Sequence, residues 1–153
     1  MVGVIKEKLE ETEEVELKKN LNDTFVKEVV AFLNTHSGVI YIGIEDDGNV
    51  CGVNNLDKLM KEISDIVALQ ILPNAQELVN VTSIFKEGKL VIEVKVEKGD
   101  RLYYIKKYGK SEKGCYVRVG TTCRSLSEEQ IERIILRDAI ENRVSIVNIP
   151  SRD

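Results

Sequence analysis

The chain has 153 residues, 42% of them hydrophobic and 31% charged, with a formal net charge of −4. That is enough to bury one good core and too little for two, so a single domain over 1–153 is expected. No apolar run approaches a membrane span, and the first residues lack a basic stretch followed by an apolar one, so insertion and secretion are disfavoured and a cytoplasmic protein is expected.

The segment 5–16 carries Glu7, Glu10, Glu11, Glu13, Glu14 and Glu16 with few apolar residues. It reads as a solvated helix or an ordered arm, an acidic N-terminal arm over 1–14. Apolar and charged residues alternate from Val15 to Lys18, predicting a short strand that ends at the turn-forming residues 20–23. Asn22 or Asp23 can cap the helix predicted over 24–35, where Phe25, Val26, Val29, Val30, Phe32 and Leu33 recur at helical spacing. His36 then reads as a loop residue.

The run 39–44 is short and rich in β-branched residues, which predicts a core strand. It exits into Glu45, Asp46, Asp47 and Gly48, and Asp47-Gly48 suits a tight turn returning through 50–53 as a hairpin arm. A second helix is predicted over 56–69, ending before Pro73. Alternation across 79–85 and 89–97 around Glu87-Gly88 predicts an antiparallel hairpin. Two further strands, 103–107 and 116–119, should flank the polar loop 109–114. The last helix begins with Ser127 and Gln130 at capping-box spacing, with Leu126 and Ile131 placed as a hydrophobic staple. A C-terminal tail, 144–153, is expected to extend or cross to a partner.

Cys51, Cys115 and Cys123 have no CxxC spacing and read as reduced thiols; a zinc site made of these three and His36 matches no common ligand pattern. The glycines fit neither GxxxxGK[ST] nor GxGxxG, which removes the usual reasons to expect a mononucleotide loop.

Charge is segregated along the chain. Residues 101–124 hold seven basic side chains against the single acid Glu112, a local charge of +6 that leaves −10 on the rest. A basic block on an acidic protein is the footprint of a polyanion-binding face, because Lys and Arg release counterions from phosphates. The bland alternative is a solvated hairpin. Candidate contacts to DNA or RNA are Lys106, Lys107, Lys110, Arg118 and Arg124, interleaved with Tyr103, Tyr104, Tyr108 and Tyr116 on which unpaired bases could stack. Alternate tyrosines can equally be strand core. Lys18 either neutralises Glu16 or adds a phosphate contact.

Three blocks in order, VELKK at 15–19, AFLNTHSGVIYIGIEDDGNVCGV at 31–53 and GCYVRVGTTCRSLSEEQIERI at 114–134, resemble the Schlafen/AlbA-like DNA-binding domain family over roughly 11–136. Leu17 stands where that family usually has Phe, Leu33 where it has Ala, Ser37 where it has the first of two glycines, and Leu102 near a usual proline. The resemblance implies an α+β fold with a mixed, mostly antiparallel sheet covered by two or three helices. It also implies nucleic-acid binding and, as an alternative, a divalent-metal-dependent endoribonuclease acting on tRNA or other structured RNA. In that alternative Glu11, Glu16 and Asp46 would be the catalytic and metal-holding carboxylates for Mg²⁺ or Mn²⁺, hard cations that prefer oxygen ligands. Positions 11 and 16 share no helix or strand face, so they converge only if a bend separates them. The apolar tail makes a homo-oligomer, in the first instance a dimer, a further expectation.

Overall fold

The computed structural model describes residues 3–5 and 7–147, with side chains through 141. Helices α1 (Phe25–Thr35), α2 (Leu56–Gln70) and α3 (Glu128–Val147) accompany nine strands: β1 (Gly3–Val4), β2 (Val15–Lys18), β3 (Gly38–Ile42), β4 (Ile71–Leu72), β5 (Val79–Lys86), β6 (Lys89–Val96), β7 (Tyr104–Ile105), β8 (Tyr116–Val119) and β9 (Thr122–Ser125). The main sheet has five strands in the order β1-β5-β6-β3-β2. It is mixed: β2 runs parallel to β3 and β1 to β5, while β6 is antiparallel to both of its neighbours. The architecture is thus α+β.

Strand alternation divides the core into two layers. Ile40 and Ile42 of β3 point to the face covered by α1 and α2, where they join Phe25, Val29, Phe32, Ile63 and Val67. Leu17 and Tyr41 point the other way and meet Ile84 and Val91, under Ile5 and Leu9 of the arm. Most of that arm is coil. It is tied to the sheet by β1 and by buried Lys86, whose ammonium donates to the Glu7 carbonyl. A third, smaller cluster, Leu102, Cys115, Leu126 and Ile131, seats α3.

Two glycines are required for close packing. A Cβ on Gly38 would lie 2.1 Å from the Phe32 ring, so α1 and β3 could not keep their spacing. Gly43 has φ +111°, a conformation disfavoured for side chains with a Cβ, and its carbonyl accepts from both Cys51 and Gly52 N–H.

Several local expectations are corrected. Residues 50–53 return only briefly: one antiparallel bridge, Ile44 to Val50, and the bonds of Cys51 and Gly52 to Gly43 follow the turn, because β2 and β6 already occupy both edges of β3. The strand expected over 103–107 is shorter, β7 covering only Tyr104–Ile105. Tyr104 and Ile105 pair with β4, and β8 turns back on β9. Thr24, not Asn22 or Asp23, occupies the α1 cap position, and Asn22 Oδ1 instead accepts from the Thr24 N–H at 3.1 Å. The capping box is present, Ser127 N–H donating to Gln130 Oε1 at 2.9 Å and Gln130 N–H to Ser127 Oγ at 3.2 Å. Helix α3 continues to Val147, past the expected start of the tail; residues 148–153 lie outside the described residues.

Candidate functional site

Strand β2 is an edge strand, and its alternation sends Leu17 to one layer and Glu16 and Lys18 to the other. Two charged side chains are thereby pressed under α1 and β8, where they are buried. Burial of charge is tolerable only with partners. Arg118 of β8 supplies the first: its Nη1 donates to Glu16 Oε1 at 2.5 Å, and its Nη2 to the carbonyls of Thr12 and Val15 at 2.7 and 3.1 Å. The guanidinium is fully buried, lies 5.0 Å from the Phe32 ring centroid, and leaves Nε unpartnered. Glu28 of α1 supplies the second, with Lys18 Nζ 2.8 Å from its Oε1. That contact lies off the hydrogen-bonding direction, so this oxygen is charge-compensated without a directed bond. Lys18 Nζ also donates to Thr24 Oγ1 at 2.7 Å.

The bend that positions 11 and 16 require is a tight turn, in which Thr12 and Val15 exchange backbone hydrogen bonds of 3.0 and 3.4 Å. It folds Glu11 back so that its Oε1 accepts from the Leu17 N–H at 3.3 Å. Glu16 and Asp46 both act to keep a proton on the Glu11 carboxyl. In the acidic turn the Asp47 carboxylate accepts from Asn49, its Oδ1 from the N–H at 2.9 Å and its Oδ2 from the side-chain amide at 2.8 Å. The turn thus engages Asp47 and leaves Asp46 as the acid that acts on Glu11. Glu11 thus interacts with Glu16 and with Asp46, and Glu16 in turn with Glu28, which the sequence reading missed.

Four carboxylates against two cations leave excess negative charge. Burial, then the hydrogen bond to Glu16, pushes the Glu11 carboxyl up to about 7. Burial likewise raises Glu28 to about 7 against the opposing pull of Lys18. Burial also acts to raise Glu16, but hydrogen bonds from Glu11 and Arg118 outweigh it and hold this carboxylate below its ordinary value. Protons on Glu11 and Glu28 therefore relieve the cluster near neutrality.

The sign for stability follows. A raised carboxyl holds a proton in the fold where the unfolded chain has already lost it, so stability present at low pH is lost as pH rises through about 7. Glu16, shifted the opposite way, acts below this window. The thermal midpoint should fall by roughly 2–5 °C between about pH 5 and 8, and Glu28→Gln should flatten that slope. A wild-type midpoint that holds or rises over the interval would refute the shared-proton arrangement.

The basic block is divided by the fold. Lys18 and Arg118 are buried in ion pairs and are corrected from phosphate contacts to partners of the acids. Lys106, Lys107, Lys110 and Arg124 are exposed. Tyr103 is core, whereas Lys110 Nζ lies 5.8 Å from the Tyr104 ring centroid, Lys27 Nζ 5.4 Å from Tyr116, and Lys107 Nζ 5.4 Å from Tyr108. The cysteines are free, and among the described residues no group of three or more His, Cys, Asp or Glu side chains is placed to hold a metal ion. Glu11, Glu16 and Asp46 match a hard divalent cation only in donor type, as carboxylate oxygens.

Asn34 and Thr35 hold these parts in register. Asn34 Nδ2 donates to the carbonyls of Tyr103 and Tyr116 at 2.9 and 3.0 Å, and its Oδ1 accepts from the Tyr103 N–H at 2.8 Å. Thr35 Oγ1 accepts from the Arg118 N–H at 2.8 Å, which fixes the strand that delivers the guanidinium. The signal for Glu28 was available: it sits within the buried stripe of Phe25, Val29 and Phe32, where an acid needs a partner.

A mixed five-stranded sheet with α1 and α2 on one face, and charged side chains from β2, α1 and β8 gathered into one buried network, defines the class of domain. The family model described as Schlafen, AlbA_2 matches residues 11–127, and the chain belongs to that family. Among solved structures, it is similar to the DIP2311 protein from Corynebacterium diphtheriae, with a TM-score of 0.54 and 21% identity over 74% of this chain and 22% of that one. It therefore spans about a fifth of that protein. It is also similar to the N-terminal domain of a protein related to the ATP-dependent DNA helicase RecG from Nitrosomonas europaea, with a TM-score of 0.51 and 20% identity over 76% of this chain and 80% of that one. No curated protein matches. Among the described residues no helix is long and apolar enough to cross a membrane.

Proposed function

We propose that the domain binds nucleic acid, DNA or RNA, through the exposed residues of 106–124. The observation that carries this reading is the separation of the basic residues: Lys18 and Arg118 are spent on buried acids, while Lys106, Lys107, Lys110 and Arg124 stay exposed near tyrosine rings. Exposed cations gain from releasing phosphate counterions, and adjacent rings offer stacking surfaces. The helicase-related name of one fold neighbour is in keeping with it. Fluorescence anisotropy with labelled single strands and duplexes at low salt tests it. A Lys106→Glu, Lys107→Glu, Lys110→Glu variant should bind at least tenfold more weakly, and its slope of log affinity against log salt should be shallower by about 2 for single strands. Absence of binding by the wild type, or equal binding by the variant, would reject the reading.

A second reading, a metal-dependent endoribonuclease, is favoured by one observation, the Thr12–Val15 turn that folds Glu11 back onto the Leu17 N–H, next to Glu16 in the chain. Glu11, Glu16 and Asp46 would hold Mg²⁺ or Mn²⁺, which would supply an activated water and neutralise the scissile phosphate. Arg118 would orient Glu16, and Lys18 would keep Glu28 in place. Cleavage of a tRNA pool that requires Mn²⁺ and is lost in Asp46→Ala is the expected result under this reading; cleavage that persists in that variant would remove Asp46 from the site.

A further inference from the structure

The largest cleft near the basic region is separate from the carboxylate cluster but shares a wall with it. It has a volume of about 830 Å³ and lies between the start of α1, the end of α2 and the turn 105–108. Its apolar surface comes from Val26, Ile66, Leu69 and Ile105. Leu69 is 69% exposed and Tyr108 is 42% exposed, which is unusual for two large side chains lining one concavity. Lys27, Lys106 and Lys107 rim it against a single acid, Asp23. Asn22 and Gln70 add side-chain amides, groups that donate and accept together. Thr24 belongs to both places, lining the cleft while its Oγ1 accepts from Lys18 Nζ.

This combination discriminates among ligand chemistries. A lipid or purely apolar ligand would leave three ammonium groups and two amides without use, and a bare phosphate would leave Leu69, Ile66 and Tyr108 without contact. A flat heteroaromatic ring carrying hydrogen-bonding edges and an attached phosphate uses all of them. The size falls in the range of small-molecule pockets. In a duplex the ring faces are stacked and inaccessible, whereas an unpaired base presents them.

We propose that this cleft receives one unpaired nucleobase of a single strand, its ring against Tyr108 and Leu69 and its flanking phosphates on Lys106, Lys107 and Lys27. The inference rests on the nucleic-acid reading above and deepens it: the lysines give affinity for any strand, and the cleft gives preference for single-stranded segments.

The test uses the full chain with a short single-stranded RNA carrying one 2-aminopurine, a duplex of equal length, and the variants Tyr108→Ala and Leu69→Ala. Both side chains are exposed enough for the fold to survive their loss, which circular dichroism confirms before binding is measured. Stacking should quench 2-aminopurine in the wild type. Each variant should weaken single-strand binding roughly tenfold, with little change for duplex, and Tyr108→Ala should abolish most of the quench. Wild-type binding that depends on the lysines but is unchanged by both cleft variants would overturn this proposal while leaving the nucleic-acid reading standing. Failure of every probe to bind would overturn both.

Discussion

Replacing Arg118 with alanine should cost about 3–5 kcal/mol of folding stability, because it strands a buried carboxylate rather than removing a surface pair. Glu16 loses the 2.5 Å contact that holds it ionised, and the carbonyls of Thr12 and Val15 lose their donor. The second loss matters for the site, since those carbonyls belong to the turn that brings Glu11 back onto Leu17. Arg118→Lys should rescue only part of the deficit, because an ammonium cannot reproduce the fork that reaches Glu16 and both carbonyls. The double variant Arg118→Met, Glu16→Gln should be more stable than Arg118→Ala, as the charge that would have been stranded is gone. Urea unfolding of the four proteins checks this. An alanine variant within about 1 kcal/mol of wild type would mean that Glu16 is solvated or already protonated.

Asn34→Ala should destabilise by roughly 2–4 kcal/mol through the loss of three partly buried hydrogen bonds. Asn34→Asp should be no better, since it turns the group that donates to the Tyr103 and Tyr116 carbonyls into an acceptor facing acceptors. The loss should be local as well as global. Asn34 is the tie between the end of α1 and two points of the chain on either side of the exposed lysines. Amide exchange in 103–119 should therefore speed up more than in β5 and β6, and nucleic-acid affinity should drop with it. Uniform exchange across the molecule would show that the brace is not specific to this region.

Much of the scaffold could be read from periodicity. Helices α1 and α2 and the β5–β6 hairpin follow from apolar residues at spacings of 3.6 and 2, because each buries one face against the same core. The pairing of the short strands could not be read that way. Tyr104 and Ile105 have only two residues with which to choose a partner, and they find β4, more than thirty residues upstream. The β8–β9 hairpin did leave a trace in Gly120-Thr121 between two β-prone runs, with Gly120 at φ +60°. At the site, the family resemblance singled out Glu11, Glu16 and Asp46, but residue types alone could not show the Thr12–Val15 turn. Nor could they distinguish a buried cation from an exposed one. Arg118 and Lys106 look alike in a basic string; only the three-dimensional position of β8 beneath the arm makes one a structural counter-ion and leaves the other free for solvent.

The Arg118 to Glu16 contact joins residues 102 positions apart in the chain. During synthesis the acids of the arm and β2 emerge first and must wait for most of the domain before their counter-ion arrives. Contacts of such long separation carry a loop-closure cost that is met only when the intervening elements have packed. The cluster should therefore form only after α1 and β8 have packed. Such an arrangement leaves the acids of β2 without their counter-ion until β8 is in place.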